Sequence, residues 1–193
     1  MEEQVKKYNP QKFYDLMYVD CEGYVEIRQL TPIINQHWVR PKEVMKRVNK
    51  LHSGDIYFGC ATRKEGIGTK KGIMEVSFLW ADIDFKDTPE ADAIKLLKES
   101  PFQPTITIRS GGGLHPYFKL KEPFLIEKPE DIDLIERVLK KLASFLKADM
   151  AATDITRILR VPGTLNNKYN PPRDAYISYF SERDENVKRI QSR

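Results

Sequence analysis

Asp82 and Asp84 stand two residues apart in the run LWADIDF. In a strand, residues i and i+2 leave the same face, so both carboxylates point one way. Trp80, Ile83 and Phe85 around them are apolar, so this strand is expected to be largely buried. An unpaired carboxylate there is costly, and two on one face repel each other. A divalent cation resolves the conflict. Hard oxygen ligands about 6.6 Å apart along a strand can grip one metal jointly, or two metals roughly 4 Å apart. The bland reading is a strand-end pair at the sheet rim, salt-bridged to nearby lysines.

A second group follows at residues 110–115, Ser110-Gly111-Gly112-Gly113-Leu114-His115. Successive glycines let backbone N–H groups turn inward and approach an anion closely. Ser110 and His115 add side-chain donors on either side; a plain glycine hairpin with a quietly packed histidine is the alternative. The third group is Arg157-x-x-Arg160-x-Pro162-Gly163-Thr164-x-Asn166-x-Lys168. On a helical turn Arg157 and Arg160 would aim at one region, and Pro162-Gly163 would reverse the chain to bring Asn166 and Lys168 nearby. Arginine forks and a lysine point charge suit a triphosphate. Alone, this stretch reads as a basic surface turn.

Together the three groups are complementary. Paired acids can hold metal ions against an α-phosphate, while a glycine cradle and cations hold the β- and γ-phosphates for in-line attack by a hydroxyl. That chemistry is nucleotidyl transfer. Removing the charge at Asp82 or Asp84 is expected to abolish it while sparing the fold, or even stabilising the metal-free chain by relieving repulsion.

The elements that must position these groups can be read from pattern. The segments 24–29 (YVEIRQ), 55–62 (DIYFGCAT), 75–85 (EVSFLWADIDF), 105–110 (TITIRS), 114–120 (LHPYFKL) and 175–180 suit strands, and the glycines at 111–113 link two of them as a hairpin. Helices are expected at 41–51, 89–99 and 129–147, the last carrying Ile132, Ile135, Leu139, Leu142 and Leu146 at the 3.6 period, and a short helical turn at 154–159. Residues 64–72 are a Gly- and Lys-rich loop, and the charged segment 181–193 is expected to fray.

At 193 residues the chain suits one domain, with a core that needs no metal or disulfide staple. Cys21 and Cys60 are too few for a disulfide framework or a four-cysteine zinc site. No apolar run approaches the ~18 residues of a membrane span, and residues 1–16 lack the apolar stretch of a secretory signal. A cytoplasmic protein is expected. The net charge of +4 says little, but residues 63–71 hold four basic residues and one acid, and residues 157–173 hold four and none. Such patches suit phosphates. Lys42, Lys46 and Lys50, every fourth residue of a helix, could follow a single-stranded backbone, with tyrosines or Trp38 stacking bases; a solvated helix face is the preferred reading.

The three motifs, in this order, resemble those of the archaeo-eukaryotic primase superfamily: hydrophobic-Asp-hydrophobic-Asp, then SGGGxH, then an acid followed by R-x-x-R-x-P-G-T-x-N-x-K. They span residues 82–168, and the match is closest to the small primase–polymerases of plasmids, phages and CRISPR loci. The resemblance implies an α+β fold, an RRM-like antiparallel sheet with packed helices (about 76–180) beside a smaller α/β module (about 1–75). It implies a DNA primase–polymerase that makes and extends primers on single-stranded DNA from NTPs or dNTPs, using Mg²⁺ or Mn²⁺. Asp82 and Asp84 would be joined as metal ligands by Asp149, preferred to Asp154, which more naturally caps a helix. Ser110, Gly111, Gly112, Gly113, His115, Arg160, Asn166 and Lys168 would contact the triphosphate, and Arg63 resembles an upstream phosphate-binding arginine. Fusion to, or association with, other replication or CRISPR adaptation proteins would fit this group. Many relatives carry a zinc element, but Cys21, Cys60, His37 and His52 lack ligand spacing, so no structural zinc is expected. Two other readings stand beside this one. A metal-dependent nuclease would use the acids without a triphosphate cradle, and a non-catalytic RRM-like module would bind nucleic acid without the acids.

Overall fold

Apolar alternation writes most of the strands. The computed structural model describes residues 8–51 and 54–181. Its strands in chain order are β1 (Val25–Gln29), β2 (Asn35–Val39), β3 (Ile56–Gly59), β4 (Thr62–Arg63), β5 (Ile73–Trp80) and β6 (Ile83–Asp84), then β7 (Ile106–Arg109), β8 (Gly113–Leu125), β9 (Ile158–Arg160), β10 (Leu165–Asn166), β11 (Arg173–Asp174) and β12 (Tyr176–Phe180). The helices are α1 (Gln11–Met17), α2 (Val44–Val48), α3 (Glu90–Glu99) and α4 (Pro129–Leu146). β2-β1-β3-β9 form an antiparallel four-stranded sheet, and β12-β7-β8-β5-β4 form a larger one to which β6 adds by pairing with β8. β10 and β11 make a small separate ribbon. The fold is α+β, as expected.

The sheets meet across one aromatic core. Phe13 of α1 packs edge-on against Phe58 of β3 at 5.2 Å and against Tyr117 of β8 at 4.8 Å between ring centroids. Phe78 of β5 packs edge-on to the same Tyr117 at 5.5 Å. All four rings are fully buried, and each such contact adds about 0.5–1.5 kcal/mol beyond area burial. Exchange between the sheets is also covalent. β4 joins the larger sheet from before residue 75, and β9 joins the smaller one from far beyond it.

Helix α4 buries Ile135, Leu139, Ala143 and Leu146 on one stripe. Asp131 closes its start by accepting the N–H groups of Glu127 and Lys128 at 3.0 Å each. It stops at Lys147, whose φ of 51° is left-handed.

Two local expectations are corrected. The segment at 154–159 is not a helical turn: a 3₁₀ turn lies earlier, at Met150–Thr153, and Ile158 and Leu159 extend into β9. β-branched and apolar side chains here pair with Gly59 and Phe58, so tertiary pairing overrides the local signal. The run 75–85 is broken between Trp80 and Ile83. Pro116 stands opposite Ala81 with no N–H to give to its carbonyl, and at the next residue the carbonyl of Asp82 accepts the N–H of Asp149 at 2.8 Å. Helix α1 and strand β2 have no counterpart in the sequence reading. The expectation of a fraying tail falls on residues 182–193, outside those described. Among the described residues, no helix is long and apolar enough to cross a membrane.

Candidate active site

Register sets the first contact of the site. Pairing continues from Trp80↔Tyr117 to Ile83↔Leu114, which puts Asp82 opposite His115. His115 Nε2 lies 3.2 Å from one Asp82 oxygen, and Arg157 Nη2 lies 2.9 Å from the other. The Asp82 side chain is only 19% exposed. Burial works against its charge, yet His115 and Arg157 outweigh that cost and hold its carboxyl far below the usual range.

Asp84 opens onto the same cleft and pairs with Lys86 at 3.3 Å. The two aspartates therefore do share a side, as the spacing predicts, but each faces cations rather than the other. Asp149 joins them from the turn after α4. Its carboxylate lies 3.6 Å from Arg157 Nη2, and it caps its own turn by accepting the Ala151 N–H at 2.8 Å. Trp80 Nε1 donates to the Ala152 carbonyl at 2.8 Å, fastening that turn to the end of β5. Asp154 lies elsewhere, bound to Lys70 at 3.2 Å and to the Thr156 N–H at 2.7 Å.

The glycine turn adjoins the acids, with Gly113 paired to Asp84 in the sheet. Gly111 has a φ of +87°, which a side chain would strain. At Gly113 a Cβ would fall 2.1 Å from the Ile83 carbonyl oxygen, so β6 and β8 can close only over glycine. Asn166 ties the turn to the ribbon: its amide donates to the Ser110 carbonyl at 2.8 Å, and its oxygen accepts the Lys168 N–H at 3.2 Å. Lys168 is exposed, at the cleft wall.

Arg160 comes from β9. It is 3% exposed and held by Asp55 at 2.7 Å, by the Leu165 carbonyl at 2.9 Å and by the Tyr57 hydroxyl at 2.8 Å. The cleft so enclosed has a volume of about 140 Å³. It brings together Asp82, Asp84, Ser110, Gly112, Gly113, His115, Arg160, Asn166 and Lys168, with Arg157 and Tyr57 between them.

Arg63 is not among its walls. It is fully buried, 3.0 Å from Glu26, and donates to the carbonyls of Gly68 and Thr156 at 2.9 Å each. The expectation that it binds phosphate is corrected: it stitches the glycine-rich loop to the strands. His115 reaches the cleft, but its Nε2 faces Asp82. Asp55 and Tyr57 escaped the sequence reading, although DIYFG alternates just as LWADIDF does and sets both opposite the apolar Ile56 and Phe58.

The three carboxylates suit a hard divalent cation in kind. In this arrangement Arg157 stands between Asp82 and Asp149, and among the described residues no three His, Cys, Asp or Glu side chains converge closely enough to hold one ion.

Solved structures share this architecture. The primase–polymerase domain of cyanophage S-2L superposes with a TM-score of 0.63, covering 89% of each chain at 13% identity. The catalytic domain of primase RepB′, solved in complex with initiator DNA, gives 0.59 over 96% of this chain and 99% of that one, also at 13% identity. The chain has the fold of an archaeo-eukaryotic primase domain. A longer structure of primase RepB′ agrees, with a TM-score of 0.60 at 15% identity over 95% of this chain and 66% of that one. No family model matches the sequence. The uncharacterized protein MJECL28 of Methanocaldococcus jannaschii is 28% identical over 163 residues, which cover 77% of this primase-fold chain but only 12% of that protein.

Proposed function

We propose that this chain is the catalytic core of a DNA primase–polymerase, joining nucleotides on a single-stranded template. The observation that carries this reading is one cleft lined together by carboxylates, a glycine turn and cations, set in a primase fold. The 3′-oxygen of a primer or first nucleotide attacks the α-phosphorus of an incoming NTP or dNTP, and the bond to the pyrophosphate breaks. Asp82, Asp84 and Asp149 would hold Mg²⁺ or Mn²⁺ once Arg157 withdraws from between Asp82 and Asp149. Bound there, the metal would supply charge neutralisation at the phosphates and activation of the attacking hydroxyl.

The protein's own groups do the positioning. Gly112 and Gly113 let backbone approach the phosphates, with Ser110 and Gly111 shaping the turn. Lys168 and Arg160 bring positive charge, and Asn166 keeps the turn and the lysine in register. Asp55 fixes Arg160 in one orientation, so less ordering is lost on binding. His115 fixes Asp82.

Synthesis on single-stranded DNA with Mn²⁺ or Mg²⁺, with and without a primer, tests the reading. Products from the wild type and none from Asp82→Ala/Asp84→Ala are expected. Metal-dependent shortening of the template without synthesis would make the protein a nuclease instead.

A further inference from the structure

In the register of the smaller sheet, Gln36, Arg28, Tyr57 and Arg160 stand directly opposite one another on β2, β1, β3 and β9. All four therefore leave the same face. Tyr57 and Arg160 are walls of the cleft. Arg28 and Gln36 carry the row two strands further, about 10 Å at strand spacing, and the chemistry above uses neither.

Arg28 is held from beneath. Glu26, two residues earlier and so on the same face, is fully buried. It accepts from Arg28 Nε at 2.8 Å and from Gln36 Nε2 at 2.9 Å, and it pairs with Arg63 at 3.0 Å. Two guanidinium groups thus share one carboxylate, leaving one positive charge over. Arg63 is wholly enclosed, whereas the Arg28 side chain is 26% exposed and presents that charge to solvent. The glycine-rich loop passes over the pair with glycine at position 68. A Cβ there would lie 3.3 Å from Gln36 Nε2 and 3.8 Å from Arg28 Nη2.

We propose that this row is the track of a single nucleic-acid strand leaving the cleft, with Arg28 binding a backbone phosphate. A preset, partly exposed guanidinium suits a phosphodiester, and its place beyond the cleft walls separates it from the triphosphate. The inference rests on the nucleotidyl-transfer reading.

Fluorescence anisotropy of a labelled 20-nucleotide oligothymidylate, in EDTA and across a salt series, tests it. Arg28→Gln should weaken strand binding about five- to tenfold at low salt and flatten the slope of log affinity against log salt by about 0.7. Arg28→Lys should recover most of the loss. Gly68→Asp, which sets a carboxylate beside Arg28 without removing any of the residues that pair with Glu26, should reproduce it if Arg28→Gln proves unstable. The control Lys42→Gln/Lys50→Gln, which removes two charges at positions flanking α2, should change binding less than twofold. Wild-type affinity and slope in both Arg28→Gln and Gly68→Asp would overturn the proposal. So would an equal loss in the control, or a loss of nucleoside triphosphate affinity as large as the loss for the strand. Failure of the enzyme reading looks different: Arg28-dependent strand binding by a protein that makes no product on any template.

Discussion

Asp82 would be a liability if only acids surrounded it. The expectation that its removal relieves repulsion assumed two bare carboxylates on one face, whereas the structure gives Asp82 both Arg157 and His115. Its loss strands a half-buried guanidinium, so Asp82→Ala is expected to destabilise the metal-free protein by about 1–3 kcal/mol, read as a lower midpoint in urea. The pH dependence follows from the same contacts. A carboxyl held below its unfolded pKa contributes stability above about pH 4, and that stability is lost as pH falls through the folded pKa. The acid limb of the stability profile should therefore be shallower in Asp82→Ala than in wild type. Equal stability at pH 7 and identical acid limbs would show that Arg157 and His115 do not hold the carboxylate.

At the scale of elements, the hairpin of β7 and β8 does two jobs: it delivers His115 from within a strand and the glycine turn from its tip. The turn's glycines are not equivalent. A Cβ at Gly113 meets backbone at 2.1 Å, whereas one at Gly112 meets the Tyr169 hydroxyl at 2.2 Å, the far end of a side chain that can swing aside. Gly113→Ala should cost about 1–3 kcal/mol in thermal unfolding, and Gly112→Ala clearly less. A reversed order would contradict the close approach of β6 to the turn. Elements were also where the sequence was least legible. The D-x-D pair, the glycine hairpin and α4 follow from period and spacing, and the structure has them. The 154–159 segment is not the helical turn expected there because Ile158 and Leu159 pair with Gly59 and Phe58 of β3, far away in sequence. Arg63 was misplaced for a related reason: its buried partner Glu26 lies on another strand, and no spacing announces a cross-strand ion pair.

For the molecule as a whole, the two sheets share the main core, and a smaller cluster of Ile83, Leu97, Leu114 and Leu146 packs on the larger sheet alone. Phe13 touches Phe58 of the smaller sheet and Phe78 and Tyr117 of the larger. Phe13→Ala should lower stability by about 3–5 kcal/mol, and fluorescence and circular dichroism should still report one coincident transition. Two separated transitions would mean that the sheets unfold independently. The resemblance implies a module at about residues 1–75 beside one at about 76–180 within a single domain. In the structure β4 pairs with β5 in the larger sheet, and β9 pairs with β3 in the smaller one.

The indole of Trp80 gives this arrangement a spectroscopic consequence. The chain has two tryptophans, and this one is buried with its N–H on Ala152, in the turn capped by Asp149. With Trp38 replaced by phenylalanine, the emission of a single native fluorophore would become an optical readout of whether that turn, and the carboxylate at its head, is seated beside the broken strand.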